Sequence, residues 1–167
     1  MKANILMNAL IAARPSIAAW QAIPLRLIVG YGFMEHGYAK LARGAESFSG
    51  ILHALGMPVP ELLAWATILV ELGCGLAVLL GALTRLAALP MAVVLLVAIF
   101  TVHIGNGFSS IKLLSVDAAG PHFGQPGAEA DLLYLAGLAA LVLGGAGPLS
   151  VDCWLSRRLS SGRVRPS

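Results

Sequence analysis

The chain has 167 residues, of which 58% are hydrophobic and only 11% charged, and its formal net charge is +3 at pH 7. A soluble domain usually has about 25% charged residues, so this composition disfavours an ordinary soluble protein. The basic excess does not indicate a nucleic-acid partner, because the basic residues gather at the ends of apolar stretches and in the tail, as membrane topology requires.

Four apolar stretches follow one another along the chain, at about residues 16–41, 62–83, 85–104 and 130–146. A helix needs about 20 residues to cross a hydrocarbon layer of about 30 Å, and each stretch is close to that length. The chain is therefore predicted to be all-α, an integral membrane four-helix antiparallel bundle formed by residues 16–152. Residues 1–15 are expected to be interfacial or mobile. Residues 153–167 are expected to form a basic cytoplasmic tail, mobile from residue 156 onward.

The connections between these stretches differ in length and character. In the first, apolar residues recur at helical spacing before a segment rich in glycine and proline, which predicts a short amphipathic helix; they are Phe48, Ile51, Leu52 and Leu55. The second connection, at residues 81–85, is a tight turn. The third, residues 105–129, is long for a bundle, and loops of that length are often lids or binding segments.

Basic residues at the ends of the stretches predict an orientation. Seven of them would share one side of the membrane, namely Lys2, Arg14, Arg85, Arg157, Arg158, Arg163 and Arg165. Three would lie on the other side, namely Lys40, Arg43 and Lys112. The side richer in lysine and arginine is the cytoplasmic one, so both termini are predicted to be cytoplasmic.

Each stretch carries ionisable residues, which in a membrane usually face a bundle interior, water or the interface. The first has a stripe formed by Arg26, Gly30, Phe33, Gly37 and Lys40, since these fall within about 40° of one line on a helix. Its glycines would admit another helix or a flat ligand. Counting depth from the span ends predicts an ion pair between Arg26 and a buried Glu71, whereas Lys40 is expected to extend to the interface.

A polar cluster is predicted in the outer half of the bundle. His36 and His103 lie at similar depth, and Lys40, Asn106, Asp131 and Tyr134 are expected near that level. These residue types could bond a quinone, because it needs hydrogen-bond donors at its carbonyl oxygens and a group that moves protons. Ligation of haem by the two histidines, a metal site including Asp131, and a purely structural role remain alternatives. The cysteines, Cys74 and Cys153, form no CxxC pair.

Several short segments, in this order, resemble the DoxX family of small four-span membrane proteins. The resemblance covers about residues 24–152, most of the chain. Its segments are Arg26-Leu27 with Gly30, 36–41 (HGYAKL), 55–60 (LGMPVP), 71–73 (ELG), 81–88 (GALTRLAA), 101–103 (TVH), 106–108 (NGF) and 145–152 (GAGPLSVD). Pro148 departs from the basic residue that the family often has there. The resemblance implies a bacterial inner-membrane protein. Some family members are described as oxidoreductases, a related branch supplies a subunit of a thiosulfate:quinone oxidoreductase, and others partner thiol or oxidative-stress enzymes.

Two functional hypotheses follow for the site. In the first, the chain is a quinone-linked oxidoreductase component, with His36, His103 and Glu71 as catalytic residues and with a ligand bound by Arg26, Gly30, Gly37, Lys40, Arg85 and Tyr134. No metal ligand is predicted. In the second, the chain is a non-enzymatic anchor or assembly subunit for redox or stress-response partners, contacted through Glu35 or residues 105–129. A transporter is a third, weaker hypothesis, and a homo-oligomer is left open.

Overall fold

The computed structural model describes residues 19–161 of the chain, and side chains as far as residue 158. The predicted N-terminal segment 1–15 lies outside the described residues. A short 3-10 turn, Ala19–Gln21, leads into helix α1, Ala22–Ala42. Pro24 lies in the first turn of α1, where its missing N–H is no loss. The helix therefore begins later than residue 16, where the first apolar stretch begins.

The predicted amphipathic helix between the first two stretches is present as α2, Ala45–Ala54. Gly44, with a φ of 89°, separates it from α1, and glycine adopts such a conformation without steric cost. Helix α2 buries Ala45, Ser49 and Leu52 and packs against the first half of the next helix and against α1. It therefore closes one end of the helical core.

Two helices follow that are long and apolar enough to cross a membrane, and among residues 19–161 no other helix is. Helix α3 spans Pro60–Leu80 and helix α4 spans Thr84–Asn106, with mean hydropathies of 2.1 and 2.4. Only 28% of the apolar window of each is buried. Their outward faces carry large apolar side chains, which is the pattern of a helix surrounded by lipid and not of a soluble core.

Each of these two helices contains one π-helical turn, in which an extra residue widens the helix. The π turn of α3 is Val70–Cys74 and that of α4 is Ile99–His103, followed by a final 3-10 turn, Ile104–Asn106. Gly81, in a left-handed conformation, ends α3. The backbone N–H groups of Leu83 and Thr84, at the start of α4, donate to the carboxylate of Asp152.

The connection between α4 and the next helix contains a small antiparallel sheet, so the prediction of an all-α fold is wrong at this point. Strand β1, Leu113–Asp117, pairs with β2, Gly120–Phe123, and a bulge at Leu114 shifts the register. Leu113 and Phe123 form one cross-strand pair and Val116 and Pro121 another. These four side chains share one face, since side chains alternate along a strand, and that face is exposed.

Two helices complete the described chain. Helix α5 is Glu129–Gly144, and helix α6 is Val151–Ser161. The tail predicted to be mobile is therefore helical as far as Ser161. Helix α1 packs against α3 and α5, and α4 packs against the same two helices, around a core that includes Val29, Val78, Met91 and Leu138. The prediction that all four cross a membrane in antiparallel order stays a prediction.

Candidate functional site

A cavity of about 700 Å³ lies between the helices, beneath α2. Its wall is mostly apolar, with contributions from α1 to α5 and from the connection that carries the hairpin. Six of the predicted polar residues line it, namely His36, Lys40, Glu71, His103, Asp131 and Tyr134. Asn106 does not line it; its amide donates a hydrogen bond to the carbonyl of Val102 within α4. The structure thus brings together most of the side chains expected at this level, with Glu71 beside them.

Side chains of the two membrane-length helices line the cavity and also reach the outer surface of the protein. Ala66 of α3 and Val93, Val97 and Val102 of α4 line the cavity and are also exposed on the protein surface. These residues belong to the same outward faces that carry the apolar side chains of α3 and α4. A molecule dissolved in the bilayer could therefore reach the cavity without first entering water.

The first polar pair in the cavity joins α1 to α3. The Nζ of Lys40 donates to both carboxylate oxygens of Glu71, at 2.7 Å each, and the side chains are 22% and 6% exposed. The same ammonium group lies 5.2 Å from the ring centroid of Phe48 in α2, a favourable arrangement of a cation and an aromatic face. The prediction that Lys40 extends to the interface is wrong, because a buried carboxylate requires a charged partner.

The predicted ion pair between Arg26 and Glu71 is also wrong. Arg26 is buried at the other end of α1, and its guanidinium donates to five backbone carbonyls, those of Val78, Leu79, Ala146, Pro148 and Leu149. The apolar stretch begins at about residue 16, whereas helix α1 begins at Ala22, so a depth counted from the start of the stretch places Arg26 too far along the helix. Arg26 therefore lies near the end of α3, and Glu71 lies seven residues before Val78, or about 10 Å along the helix.

Three other residues predicted to bind a ligand do not face the open part of the cavity. A Cβ on Gly30 would lie 2.7 Å from the backbone nitrogen of Leu79, and one on Gly37 would lie 3.0 Å from the Cβ of Glu71. Both glycines thus serve the close approach of α1 and α3. Arg85 is exposed in the first turn of α4 and does not line the cavity.

The second polar pair joins α4 to α5. The Nδ1 of His103 forms a hydrogen bond with the Oδ2 of Asp131, and the side chains are 27% and 10% exposed. Asp131 lies in the first turn of α5, where the helix dipole favours a negative charge. The sequence placed Asp131 near His103, but it did not reveal that the two side chains bond each other.

His36 and Tyr134 complete the polar lining. His36 is exposed at the margin of the cavity. The ring of Tyr134 meets that of Phe33 edge to face, with centroids 5.8 Å apart and planes at 89°. The Tyr134 hydroxyl lies in the space that a side chain at Gly32 would fill. The absence of a side chain at Gly32 therefore lets α5 approach α1 closely at this level. Sequence reasoning missed Gly32, because it is one of 19 glycines.

Both π turns carry a polar residue of the site, Glu71 in α3 and His103 in α4. Such turns occur often at functional sites, because the extra residue changes the direction in which nearby side chains point. Residue types do not reveal where a helix accepts an extra residue, so neither turn could be predicted. Two of the three residues predicted to be catalytic are thus on locally irregular backbone.

The geometry does not favour a metal site. Among the residues that the structure describes, no three histidine, cysteine, aspartate or glutamate side chains are arranged to hold a metal ion. The alternative in which His36, His103 and Asp131 are joint ligands is therefore not supported. A largely apolar cavity with one ion pair, one hydrogen-bonded histidine–aspartate pair and a phenol at its wall suits an organic molecule better.

The helices define a small, mostly helical membrane protein with a largely apolar cavity between them. The profile of the DoxX family matches residues 21–104, half of the chain. The chain is also similar to the uncharacterized membrane protein Rv3486 of Mycobacterium tuberculosis, with 32% identity over 140 residues that cover 83% of each protein. The chain belongs to the DoxX family. No solved structure matches it.

Proposed function

We propose that this protein is a component of a quinone-linked oxidoreductase and that it binds the quinone, a flat apolar redox molecule, in the cavity. The observation that carries the proposal is the combination of a largely apolar cavity that reaches the outward faces of α3 and α4 and two polar pairs at its wall, Lys40 with Glu71 and His103 with Asp131. A volume of about 700 Å³ lies within the range of about 300–1,000 Å³ that is typical of small-molecule sites.

Each polar residue has a role in this proposal. His36 and His103 hold or protonate the carbonyl oxygens, because an imidazole donates or accepts a hydrogen bond according to its protonation state. Glu71, held by Lys40, relays a proton, and Tyr134 offers a further hydroxyl. When bound, the quinone supplies the electron-accepting or electron-donating group, and the electrons come from or go to a partner protein. Arg26, Gly30 and Gly37 support the helices around the site.

The proposal is tested by measuring the binding of decylubiquinone, a short-tailed benzoquinone, to the purified protein in nanodiscs. We expect saturable binding to the wild type. In the variant His103→Ala, the loss of one hydrogen bond, worth about 1 to 1.5 kcal/mol, should weaken binding about five- to tenfold. Mass spectrometry of extracts from the native membrane should detect a quinone bound to the wild type.

His122→Ala is the matched control, since His122 lies on the hairpin, is exposed and does not line the cavity. This variant should bind decylubiquinone like the wild type. The proposal fails if the wild type binds no quinone, or if His103→Ala and His122→Ala bind it equally well.

We also propose how the chain lies in the membrane. Helices α1, α3, α4 and α5 would all cross a bacterial inner membrane in antiparallel order, with both termini in the cytoplasm. The basic residues of the described chain support this orientation, because Arg85, Arg157 and Arg158 would then share the cytoplasmic side. Residues 16–152 would form the membrane domain, preceded by an interfacial segment and followed by a basic cytoplasmic tail.

The hairpin favours the second hypothesis, a non-enzymatic anchor or assembly subunit. Leu113, Val116 and Phe123 are 57%, 67% and 60% exposed on one face of a two-stranded sheet, and exposed apolar patches often mark contacts with other molecules. Glu35, the other predicted contact, is exposed on α1. A partner protein or a second copy of the chain would cover this face.

Substitution of Val116 and Phe123 by serine distinguishes a role in assembly with partners from a role in quinone binding. If assembly is the function, the double variant should lose co-purifying proteins while it still binds decylubiquinone like the wild type. If the variant retains all of its partners, the hairpin is not the site of assembly.

A further inference from the structure

His103 and Asp131 form a hydrogen bond between α4 and α5 at the wall of the cavity. Asp131 is 7% exposed and lies in the first turn of α5, where the helix dipole favours an anion. An ionised carboxylate only accepts hydrogen bonds. The shared hydrogen therefore belongs to the Nδ1 of His103, because the bond made by one ring nitrogen determines which nitrogen carries the hydrogen.

The other ring nitrogen, Nε2, is the one available to a ligand. Within residues 19–161, the only hydrogen bond of the His103 side chain is the one from Nδ1 to Asp131, and His103 lines the cavity. In neutral imidazole that carries its hydrogen on Nδ1, Nε2 accepts a hydrogen bond, and in imidazolium it donates one. The neutral and the protonated ring both keep the hydrogen on Nδ1. A gain or loss of a proton by the ring therefore changes only whether Nε2 donates or accepts a hydrogen bond.

We propose that Asp131 is a positioning residue, which holds hydrogen on the Nδ1 of His103 so that Nε2 exchanges a proton with an oxygen of the ligand. The ligand part of this inference rests on the proposed function. In the exchange, the O–H bond of a ligand hydroxyl breaks, its electron pair stays on the oxygen, and an Nε2–H bond forms. The reverse step returns the proton.

This exchange narrows the chemical class of the ligand. The ligand oxygen must release and take up a proton, as a hydroquinone hydroxyl does. Oxidation of the hydroquinone to its quinone releases two protons and two electrons: Nε2 takes one proton, the other hydroxyl gives up the second, and the electrons go to the partner protein of the proposed function. The resulting Nε2–H then donates to the quinone carbonyl. A hydrocarbon tail or an ether offers neither a hydroxyl nor a carbonyl. The other titratable side chains that face the cavity are His36 and Lys40 of α1, Glu71 of α3, and Tyr134 of α5.

The tautomer of His103 can be measured by NMR of protein labelled with ¹⁵N-histidine, through the couplings between ring nitrogens and ring carbon-bound hydrogens. The spectrum is recorded at alkaline pH, where the imidazoles are neutral, and His103→Gln identifies the resonances. We expect Nδ1 of His103 in the range of a protonated nitrogen and Nε2 in the range of an unprotonated one. In Asp131→Ala this preference should be lost.

The chain offers a matched internal control. His122 bonds the carboxylate of Asp117 through its other nitrogen, Nε2, at 2.8 Å on the exposed hairpin, so it should show the opposite tautomer or a mixture. The inference is overturned if wild-type His103 carries its hydrogen on Nε2, or if Asp131→Ala leaves the tautomer of His103 unchanged. The wild-type spectrum decides the first point even if the variant does not fold.

Addition of decylubiquinone and of its reduced form separates this inference from the proposed function. We expect both to shift the Nε2 resonance of His103, and neither to shift His122. If the wild type shows the expected tautomer but no shift with either compound, the assignment of quinone is wrong while Asp131 remains the residue that orients His103.

Discussion

At the scale of single residues, each buried charge of the described chain is satisfied by a nearby group of opposite character. Glu71 bonds Lys40, and Asp131 bonds His103. Arg26 instead bonds five backbone carbonyls, which include those at the end of α3, where the helix dipole attracts a cation. The sequence predicted that Arg26 and Glu71 face the interior, but it assigned Arg26 the wrong partner, because depth depends on where a helix begins, and it placed Lys40 at the interface.

The pair of Lys40 and Glu71 leads to a prediction about stability. If one partner of a buried ion pair is removed, the other charge remains buried and unpaired, which costs about 3–5 kcal/mol. We therefore expect Lys40→Met or Glu71→Gln alone to lower the free energy of unfolding in detergent substantially. The double variant should recover most of that loss.

Thermal unfolding of the wild type, both single variants and the double variant measures the coupling between the two side chains. If the losses of the single variants simply add in the double variant, the two charges do not stabilise each other, and the assigned pair is wrong.

At the scale of elements, the positions of the helices follow from the spacing of apolar residues and from the glycine and proline residues that interrupt it. For this reason α2 and the turn before α4 could be predicted. The π turns could not, since an extra residue in a helix has no signature in residue type. The sequence indicates the hairpin only weakly, through the turn-forming residues Asp117 and Gly120. The bulge at Leu114 concealed it by interrupting the alternation of apolar and polar residues.

The contact between α1 and α3 leads to a prediction about two glycines. Gly30→Ala should destabilise the protein by about 1–3 kcal/mol, since the new Cβ would overlap backbone atoms of α3. Gly73 lies in α3, one of the same two helices, but a Cβ added there would meet nothing within 4 Å. Gly73→Ala should therefore be neutral or should stabilise by about 0.4–1 kcal/mol.

The melting temperatures of the two variants, measured in the same detergent, check this prediction. Equal melting temperatures for Gly30→Ala and Gly73→Ala would show that α1 and α3 do not approach as closely as described.

At the scale of the whole molecule, large apolar side chains cover most of the outside of the helices, while the charged side chains of Arg26, Glu71 and Asp131 are buried between them. This is the arrangement expected of helices in lipid, where polar groups face a bundle interior or a cavity. Composition alone predicted the membrane class. The number of crossings does not follow as directly, because α5 has 16 residues and is about 24 Å long at 1.5 Å per residue, shorter than the hydrocarbon layer.

The crossing of α5 can be tested with single cysteines on either side of it. In a background with Cys74 and Cys153 replaced by alanine, Ser115→Cys places a thiol on the hairpin and Ser156→Cys places one on α6. A maleimide reagent that does not cross membranes should label the first in intact spheroplasts and the second only after lysis. Labelling of both from the same side would show that α5 does not cross.

The central claim is that the cavity between α3 and α4 holds a quinone, and photolabelling with an azidoquinone tests it most directly. Protein in nanodiscs is illuminated with the azidoquinone, in the presence or absence of excess decylubiquinone, and the labelled peptides are identified by mass spectrometry. We predict labels on cavity residues of α2 and α4, among them Ile51, Val97 and His103, which the excess quinone suppresses. Labels confined to the outward faces of the helices and unaffected by competition would contradict this claim.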